Sequence, residues 1–246
     1  MSTTKDDRRF TQTDDAFIMA DLQQMLQARN YNQWLNSMIT PFIGKRVLEV
    51  GAGIGNLSKE IIKDTEQFYA IEPNPNCQRV LNEIFINDPK FTLIPKRIEE
   101  SKSLNNLKGK LDTILCVNVL EHIQDDQESL RVLNDLLVSE GYLVLIVPAV
   151  KWAYGTIDKS VGHHRRYTKY DLQLALNNAS YKIEKMYYFN FPGLLGWYFN
   201  SRFLKIQSQR RSHIFIFDRF VPIIKKLESI IHPPLGMSLF VVGRKK

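Results

Sequence analysis

A short stretch at residues 47–56, Val-Leu-Glu-Val-Gly-Ala-Gly-Ile-Gly-Asn, constrains the fold of this chain more than any other feature. Its apolar start is typical of a buried strand, and residues 57–63 that follow have the pattern of a helix. The glycines between them allow a sharp turn and let the backbone approach a ligand closely. Because the free N–H groups at the start of a helix point toward such a turn, the stretch predicts a nucleotide-binding unit.

The spacing of the glycines, and the acid before them, discriminate between nucleotides. A dinucleotide fingerprint would place its third glycine at position 56, where this chain has Asn56. Glu49, at the end of the strand, would repel a pyrophosphate but suits a ligand with a sulfonium centre and an ammonium group. No Gly-Lys-Ser/Thr sequence follows, which excludes a phosphate-binding P-loop. S-adenosyl-L-methionine carries these charges, and residues 49–55 resemble motif I of the class I methyltransferases.

A second acid supports the same interpretation. Residues 68–71 have the pattern of a short apolar strand, closed by Glu72 and Pro73, and Glu72 lies 21 positions after Gly51. In nucleotide-binding α/β folds, an acid near this distance accepts hydrogen bonds from the ribose hydroxyls. The combination favours a nucleotide site over the alternative of an ordinary tight turn between a strand and a helix.

The resemblance implies further contacts to the cofactor. Class I enzymes often have an acid after the third strand that meets the adenine amine, but this chain has Arg97 there, so the backbone near Ile98 is the expected substitute. Asn118 is expected to face the methionine end, and Tyr31 either covers the cofactor or packs its helix on the sheet. The predicted cofactor-binding residues are therefore Tyr31, Glu49, Gly51, Ala52, Gly53, Gly55, Asn56, Glu72, Pro73, Ile98, Asn118, Val119 and Leu120.

Apolar strands alternate with amphipathic helices along the chain, which predicts an α/β fold with a parallel, doubly wound sheet. The resemblance implies a Rossmann-like sheet of seven strands with an antiparallel last strand. We expect a mobile tail at residues 1–15 and one domain at 16–246. Within it, residues 16–40 form a helical cover and residues 190–235 a helical lid or insertion before the last strand.

The loop after the fifth strand is expected on the acceptor side, because ligands of open α/β sheets bind outside the carboxyl ends of the strands. It contains Gly-His-His-Arg-Arg-Tyr at 162–167, after Val-Pro-Ala at 147–149 and Tyr-Gly at 154–155. These motifs resemble a bacterial methyltransferase subgroup whose genes are sometimes fused to, or found beside, glycosyltransferases. The resemblance extends from about Tyr31 to the C-terminus and implies methyl transfer without indicating one acceptor.

A hydroxyl acceptor must lose a proton, and histidine, with a reference pKa of about 6.5, is a natural base. The candidates are His163 and His164, with Asp158 orienting one of them. Glu121 and His122 are weaker candidates, because they stand where a helix begins. Arginines could clamp a carboxylate or phosphate, or could simply pair with nearby acids. The predicted acceptor-binding residues are Trp152, Tyr154, Arg165, Arg166 and Tyr167, and two adjacent histidines alone predict no metal.

The composition restricts partners and compartment only broadly. A net charge of +7 and a pI near 9.3 are compatible with nucleic acid or an anionic membrane surface. Aromatic and basic residues alternate in 190–235, which favours peripheral membrane contact there, with a homodimer interface or a plain helical insertion as alternatives. Two unclustered cysteines, Cys77 and Cys116, and the lack of a secretory leader favour a cytoplasmic protein, which is membrane-associated if residues 190–235 contact a membrane.

The sequence thus predicts a class I methyltransferase that uses S-adenosyl-L-methionine, releases S-adenosyl-L-homocysteine and methylates a small-molecule or glycan/lipid-linked acceptor at a hydroxyl oxygen. One alternative is an RNA methyltransferase, favoured by the basic charge but weakened because residues 118–121 do not form an Asn/Asp-Pro-Pro-Tyr motif. A nucleic-acid partner is therefore not expected. The other alternative is a non-catalytic cofactor-binding partner of a glycosyltransferase, and Glu49 disfavours a nicotinamide-dependent oxidoreductase.

Overall fold

The computed structural model describes residues 12–205 and 211–246, and its centre is a single sheet of seven strands. The strands are β1 (Arg46–Val50), β2 (Gln67–Ile71), β3 (Phe91–Ile94), β4 (Leu111–Val117), β5 (Leu137–Pro148), β6 (Tyr181–Phe189) and β7 (Ser238–Lys245). Their order in the sheet is β3-β2-β1-β4-β5-β7-β6. Strands β1 to β5 are parallel, and β7 runs antiparallel between β5 and β6. The predicted Rossmann-like sheet with an antiparallel last strand is confirmed.

The helices connect the strands and cover both faces of the sheet. They are α1 (Gln12–Gln27), α2 (Arg29–Ile39), α3 (Ser58–Ile61), α4 (Pro75–Phe85), α5 (Asp126–Leu136), α6 (Thr156–Ser160), α7 (Lys169–Asn178), α8 (Phe191–Tyr198) and α9 (Arg211–Ile231). Side chains satisfy N–H groups at several helix starts. The Asn74 side chain accepts from the first turn of α4, and Thr168 and Asp171 form a capping box on α7.

Two apolar cores lie on opposite faces of the sheet, because successive strand residues point to opposite sides. On one face Leu48 and Ile114 pack with residues of α5 and α7. On the other face Val47 and Leu115 pack with residues of α2, α4 and α9. Both cysteines are buried and neither forms a disulfide. The sheet therefore forms the middle layer of three, and its loops carry the site.

The N-terminal helix begins earlier than the sequence predicts. Helix α1 starts at Gln12, inside the tail expected at residues 1–15, and residues 1–11 lie outside the described part of the chain. The polar residues there lack apolar periodicity, but acids such as Asp14 are favourable in the first turn of a helix because they interact with its dipole.

The segment 190–235 is mostly helical where it is described. It consists of α8, a π-helical turn at Phe199–Phe203, and the long helix α9, which contains Pro222. Within the described residues, no helix combines the length and apolarity that a membrane span requires.

Candidate cofactor and acceptor site

A cavity of about 820 Å³ opens at the carboxyl ends of β1, β2, β4 and β5. Its floor is formed by residues that directly follow these strands, among them Gly51, Glu72 and Asn118. Residues of α1, α2, α8 and α9 form its walls. The sheet thus brings together segments that lie far apart in the sequence.

The glycine turn after β1 has the left-handed backbone that its sequence predicts. Gly51 has φ +71° and Gly53 has φ +56°, which other residues adopt only with strain. A Cβ on Gly51 would lie 2.4 Å from a methyl carbon of Val119, so the turn has no room for a side chain. Gly51, Ala52, Gly53 and Asn56 line the cavity. Gly55 does not, because it faces Leu81 of α4, so its role is in packing.

Glu72 joins the glycine turn to the end of β2. Its carboxylate accepts hydrogen bonds from the backbone N–H of Gly53 at 2.7 Å and of Asn74 at 2.8 Å. Burial raises its pKa, while these two hydrogen bonds oppose the increase. A carboxylate offers about four acceptor positions, so two remain for a pair of hydroxyl groups. Glu72 lines the cavity beside Pro73 and suits the ribose of a nucleoside.

Glu49 is a buried acid in the wall of the same cavity. The Ser58 hydroxyl donates to its carboxylate, and burial raises its pKa to about 8. An anion in such surroundings is unstable unless a cation comes close to it. The site therefore suits the ammonium group of S-adenosylmethionine, as the sequence predicts.

The remaining predicted cofactor contacts divide into two groups. Tyr31, Ile98, Asn118 and Val119 line the cavity, and Asn118 is held with φ +52° by a hydrogen bond from its N–H to Ile146. Leu120 is fully buried in the core and does not line the cavity, which corrects its prediction as a cofactor contact.

Glu99 also lines the cavity, two positions after Arg97. An acid is thus present in the cavity wall after β3, although not at the position of Arg97 where the family pattern leads one to expect it. Both Arg97 and Glu99 are exposed and face the part of the cavity next to Ile98.

The opposite end of the cavity contains a polar network centred on Asp158. This buried carboxylate accepts hydrogen bonds from Arg166 Nε at 2.8 Å, Gly155 N at 2.9 Å and Trp197 Nε1 at 3.3 Å, and it lies 2.9 Å from His163 Nδ1. Burial alone would raise the pKa of Asp158, but the bond to His163, the Arg166 charge and the Gly155 N–H together lower it. Asp158 thus orients His163 through its Nδ1, and the His163 side chain lines the cavity.

Glu121 lies beneath His163. Its carboxylate Oε1 is 3.7 Å from His163 Nε2, and its side chain is fully buried. Neither carboxylate oxygen has a hydrogen-bond partner among the described residues, and burial raises the pKa of Glu121 to about 8.

His122 completes this cluster. Its ring centre is 4.7 Å from that of His163 and its exposed surface lines the cavity. Burial within the cleft, followed by the charge of His163, lowers the pKa of His122 to about 4. Donor atoms of Glu121, His122 and His163 lie within 4.8 Å of one another, a spacing that a metal ion could use although the sequence predicts none.

The other predicted acceptor residues do not reach the cavity. Arg166 is buried and bound to Asp158 and the Ala149 carbonyl, since its charge requires compensation in the interior. Arg165 pairs with Asp126 at 2.8 Å. Neither arginine lines the cavity, so the observed contacts favour the alternative that the arginines pair with acids over an arginine clamp.

The same correction applies to four further residues. Tyr167 is buried and donates its hydroxyl hydrogen to Asp126 at 2.8 Å, so it holds the loop in place. Tyr154 donates to the carbonyl of His163 at 2.8 Å. The Trp152 ring is 52% exposed and packs on Tyr198, while His164 points outward to solvent. Adjacent side chains diverge on this loop, which is why only one of the two histidines lines the cavity.

A family model described as a methyltransferase domain matches residues 27–211. The chain belongs to the class I S-adenosylmethionine-dependent methyltransferases. Its cofactor is therefore S-adenosylmethionine, in agreement with the sequence analysis. Among solved structures, a S-adenosylmethionine-dependent methyltransferase from Thermotoga maritima has the same fold, with a TM-score of 0.65 and 14% identity, and the alignment covers 94% of this chain and 97% of that one.

Curated relatives of this methyltransferase share shorter segments. The chain is 28% identical over 104 residues to the mitochondrial ubiquinone biosynthesis O-methyltransferase of Schizosaccharomyces pombe, covering 42% of this chain and 38% of the relative. It is 30% identical over 111 residues to the tRNA U34 carboxymethyltransferase of Photorhabdus laumondii, covering 44% and 33%. The chain thus spans about a third of the length of these relatives, whose names refer to different classes of acceptor.

Proposed function

We propose that this methyltransferase transfers a methyl group to a hydroxyl oxygen of a small-molecule or glycan/lipid-linked acceptor. One observation carries the proposal: a continuous cavity has Glu49, Glu72 and the glycine turn in one part and an Asp158-oriented His163 in another. The ubiquinone relative, named as an O-methyltransferase, supports transfer to oxygen. Both cysteines are buried and neither forms a disulfide, which supports a reducing compartment and so a cytoplasmic location.

The residues of the first part would hold the cofactor. Glu72 would accept hydrogen bonds from the ribose hydroxyls, and Glu49 would pair with the ammonium group. Glu99, beside Ile98, would meet the adenine amine. When bound, S-adenosylmethionine supplies an electrophilic methyl group on its sulfonium centre. The bond between this methyl group and the sulfur breaks, and the leaving group is the neutral thioether of S-adenosylhomocysteine.

His163 would act on the acceptor. Because its Nδ1 is directed at Asp158, its Nε2 is available to accept a proton from a hydroxyl group in the cavity. The acceptor oxygen gives that proton to Nε2 as it bonds to the methyl carbon, so no net charge is left on the product. Asp158 and Arg166 keep the imidazole in this orientation, and alignment of the two reactants supplies most of the remaining rate.

Replacing His163 by Asn is expected to lower kcat by about 10²–10⁴-fold, the usual contribution of a positioned general base. Affinity for S-adenosylhomocysteine should be retained, because the histidine lies away from the glycine turn. The measurement is transfer of labelled methyl groups to sugars, lipid extracts and tRNA, with the His164→Asn variant as the matched control. Undiminished turnover by His163→Asn would contradict the assignment of His163 as the general base. Loss of wild-type turnover when a chelator removes metal ions would instead point to a metal at Glu121, His122 and His163.

RNA remains the second candidate acceptor, since one relative is named for a tRNA substrate and the chain carries a net charge of +7. In the same assay, label incorporated into tRNA rather than into sugars or lipids would replace the hydroxyl acceptor by a nucleic acid. Binding to tRNA that weakens steeply with salt but gives no label would indicate charge attraction alone. Cofactor binding without turnover on any extract would favour a non-catalytic partner of a glycosyltransferase.

A further inference from the structure

Helix α9 has two apolar faces. Its inner face includes the buried residues Ile214 and Val221, which pack against the N-terminal helices and the sheet. A second stripe faces outward at intervals of four, three, four and three residues. It consists of Ile216, Phe220, Ile223, Leu227 and Ile230, whose exposed fractions are between 52% and 70%.

The helical segment before α9 also carries exposed apolar side chains. Phe215 and Ile231 border the stripe of α9, and Leu195 and Phe199 of the neighbouring helical segment are more than half exposed. We call these nine residues the α8–α9 apolar face. Large exposed apolar areas mark contact with another molecule or with a membrane, because single exposed residues rarely form a continuous stripe.

The charges around this face are of one sign. Residues 191–235 contain seven Arg or Lys residues and only two acids, Asp218 and Glu228. Both acids are engaged inside the protein. Asp218 accepts hydrogen bonds from Asn30 and the Tyr31 N–H, and Glu228 accepts them from the N–H groups of residues 190–191. Exposed Arg219 and Lys226, seven residues apart, flank the stripe on one side.

This charge pattern discriminates between occupants. Two helices that pack through a stripe of this spacing commonly pair opposite charges along its flanks. In a dimer, the described charged residues that flank the stripe on each copy would be Arg219 and Lys226, so like charges would meet. A surface of anionic lipid would instead accept both the apolar side chains and the flanking cations.

We propose that the α8–α9 apolar face docks on the surface of an anionic lipid bilayer. Helix α9 lies in the plane of the interface, with its inner face on the protein and its outer stripe in the headgroup and acyl boundary.

Docking in this orientation would also affect how the acceptor reaches the cavity. Ile216 belongs to the face and lines the cavity together with Gly196 and Trp197 of α8. An acceptor with an apolar chain could therefore reach His163 from the lipid, a step that rests on the proposed function, whereas the docking itself does not.

The test is flotation of the full chain with vesicles of phosphatidylcholine, with and without phosphatidylglycerol. The wild type is expected to bind the vesicles that contain phosphatidylglycerol, and to dissociate as salt screens the charges. The triple variant Phe220→Gln, Ile223→Gln, Leu227→Gln should bind at least about 100-fold more weakly, since three apolar side chains no longer leave water. Reversing the charges with Arg219→Glu and Lys226→Glu should remove the preference for phosphatidylglycerol.

The matched control is the double variant Ile86→Gln, Leu174→Gln, which changes exposed apolar residues outside the face and should bind like the wild type. Titration of every variant with S-adenosylhomocysteine checks that the fold is intact. Absence of wild-type binding to either vesicle would overturn the proposal, as would binding that the triple variant retains. A dimer in solution that the triple variant dissociates would assign the face to a second copy. A wild type that docks on vesicles but fails to bind S-adenosylhomocysteine would contradict the proposed function and leave the docking in place.

Discussion

Replacing Gly51 by Ala is expected to abolish cofactor binding and to lower the free energy of unfolding by about 2–5 kcal/mol. Two effects add at this position. Its φ of +71° is unfavourable for any residue with a side chain, and the new Cβ would overlap Val119, 2.4 Å away. To remove that overlap, either Val119 or the glycine turn would have to move into the cavity, since both line it. Denaturant unfolding and titration with S-adenosylhomocysteine measure the two effects.

Gly109 provides the matched control. It has a similar φ of +63°, but a Cβ there would meet no atom within 4 Å. The Gly109→Ala variant should therefore show only the backbone cost, about 1–2 kcal/mol, and bind the cofactor normally. If Gly51→Ala lost no more stability than Gly109→Ala and still bound S-adenosylhomocysteine, the close packing of Gly51 against Val119 would not be required for cofactor binding.

Replacing Glu49 by Gln is expected to stabilise the cofactor-free protein at alkaline pH while weakening cofactor binding. Burial raises the pKa of Glu49 from 4.5 to about 8 in the folded chain. Because the folded state holds this proton more tightly than the unfolded state, its contribution to stability is complete below pH 4.5 and is lost as the pH rises to about 8. The loss is at most about 5 kcal/mol, at 1.36 kcal/mol for each pKa unit.

The Glu49→Gln variant cannot ionise at this position, so above pH 8 it should unfold at a higher denaturant concentration than the wild type, and near pH 5 the two should be similar. Pairing with an ammonium group would lower the pKa of Glu49, so the wild type should release a proton when it binds S-adenosylhomocysteine near pH 7. Calorimetry in two buffers of different ionisation enthalpy measures that proton. Equal proton release by Glu49→Gln would show that another group ionises, and unchanged affinity would exclude Glu49 as the ammonium partner.

The cofactor end of the site was predictable because its signals are local. Gly51 and Glu72 each follow directly after a strand, Gly53 lies two residues further on, and parallel strands bring their carboxyl ends to one edge of the sheet. Knowledge of the strands was therefore enough to place these residues together. That the acid Glu99 lines the cavity was not predictable, since the loop after β3 has no periodicity that fixes which side chain points inward.

The acceptor end depends on contacts that have no local signal. Val150, the second residue of loop 149–168, has a φ of +68°, which is unusual for a β-branched residue. The direction of the loop is then fixed by the pairing of Arg166 with Asp158 and by the position of Glu121, 42 residues before His163. Charged residues in a row suggested an exposed loop, whereas the structure buries Asp158 and Arg166 as a mutually compensated pair.

Helix α9 shows a related limit. Residues 214, 217, 221 and 224 form one helical stripe, and residues 216, 220, 223 and 227 form another. Both have the spacing of an amphipathic helix, so the sequence indicates that the helix is apolar on two sides but not which side meets the sheet. The inner face is fixed by contacts distant in the sequence, among them the hydrogen bonds of Asp218 to the start of α2 and of Glu228 to residues 190–191.

Calorimetric titration with S-adenosylhomocysteine, of the wild type and of Glu72→Gln, tests the central claim most directly. Glu66→Gln serves as the control, because that acid is exposed and pairs only with the exposed Lys45 in the observed ion pairs. The account predicts micromolar binding by the wild type and the control. Glu72→Gln should bind about 100-fold more weakly, because two hydrogen bonds from the ribose to a charged group would be weakened. Wild-type protein that binds NAD but not S-adenosylhomocysteine, or a Glu72→Gln variant that binds as tightly as the wild type, would contradict the account.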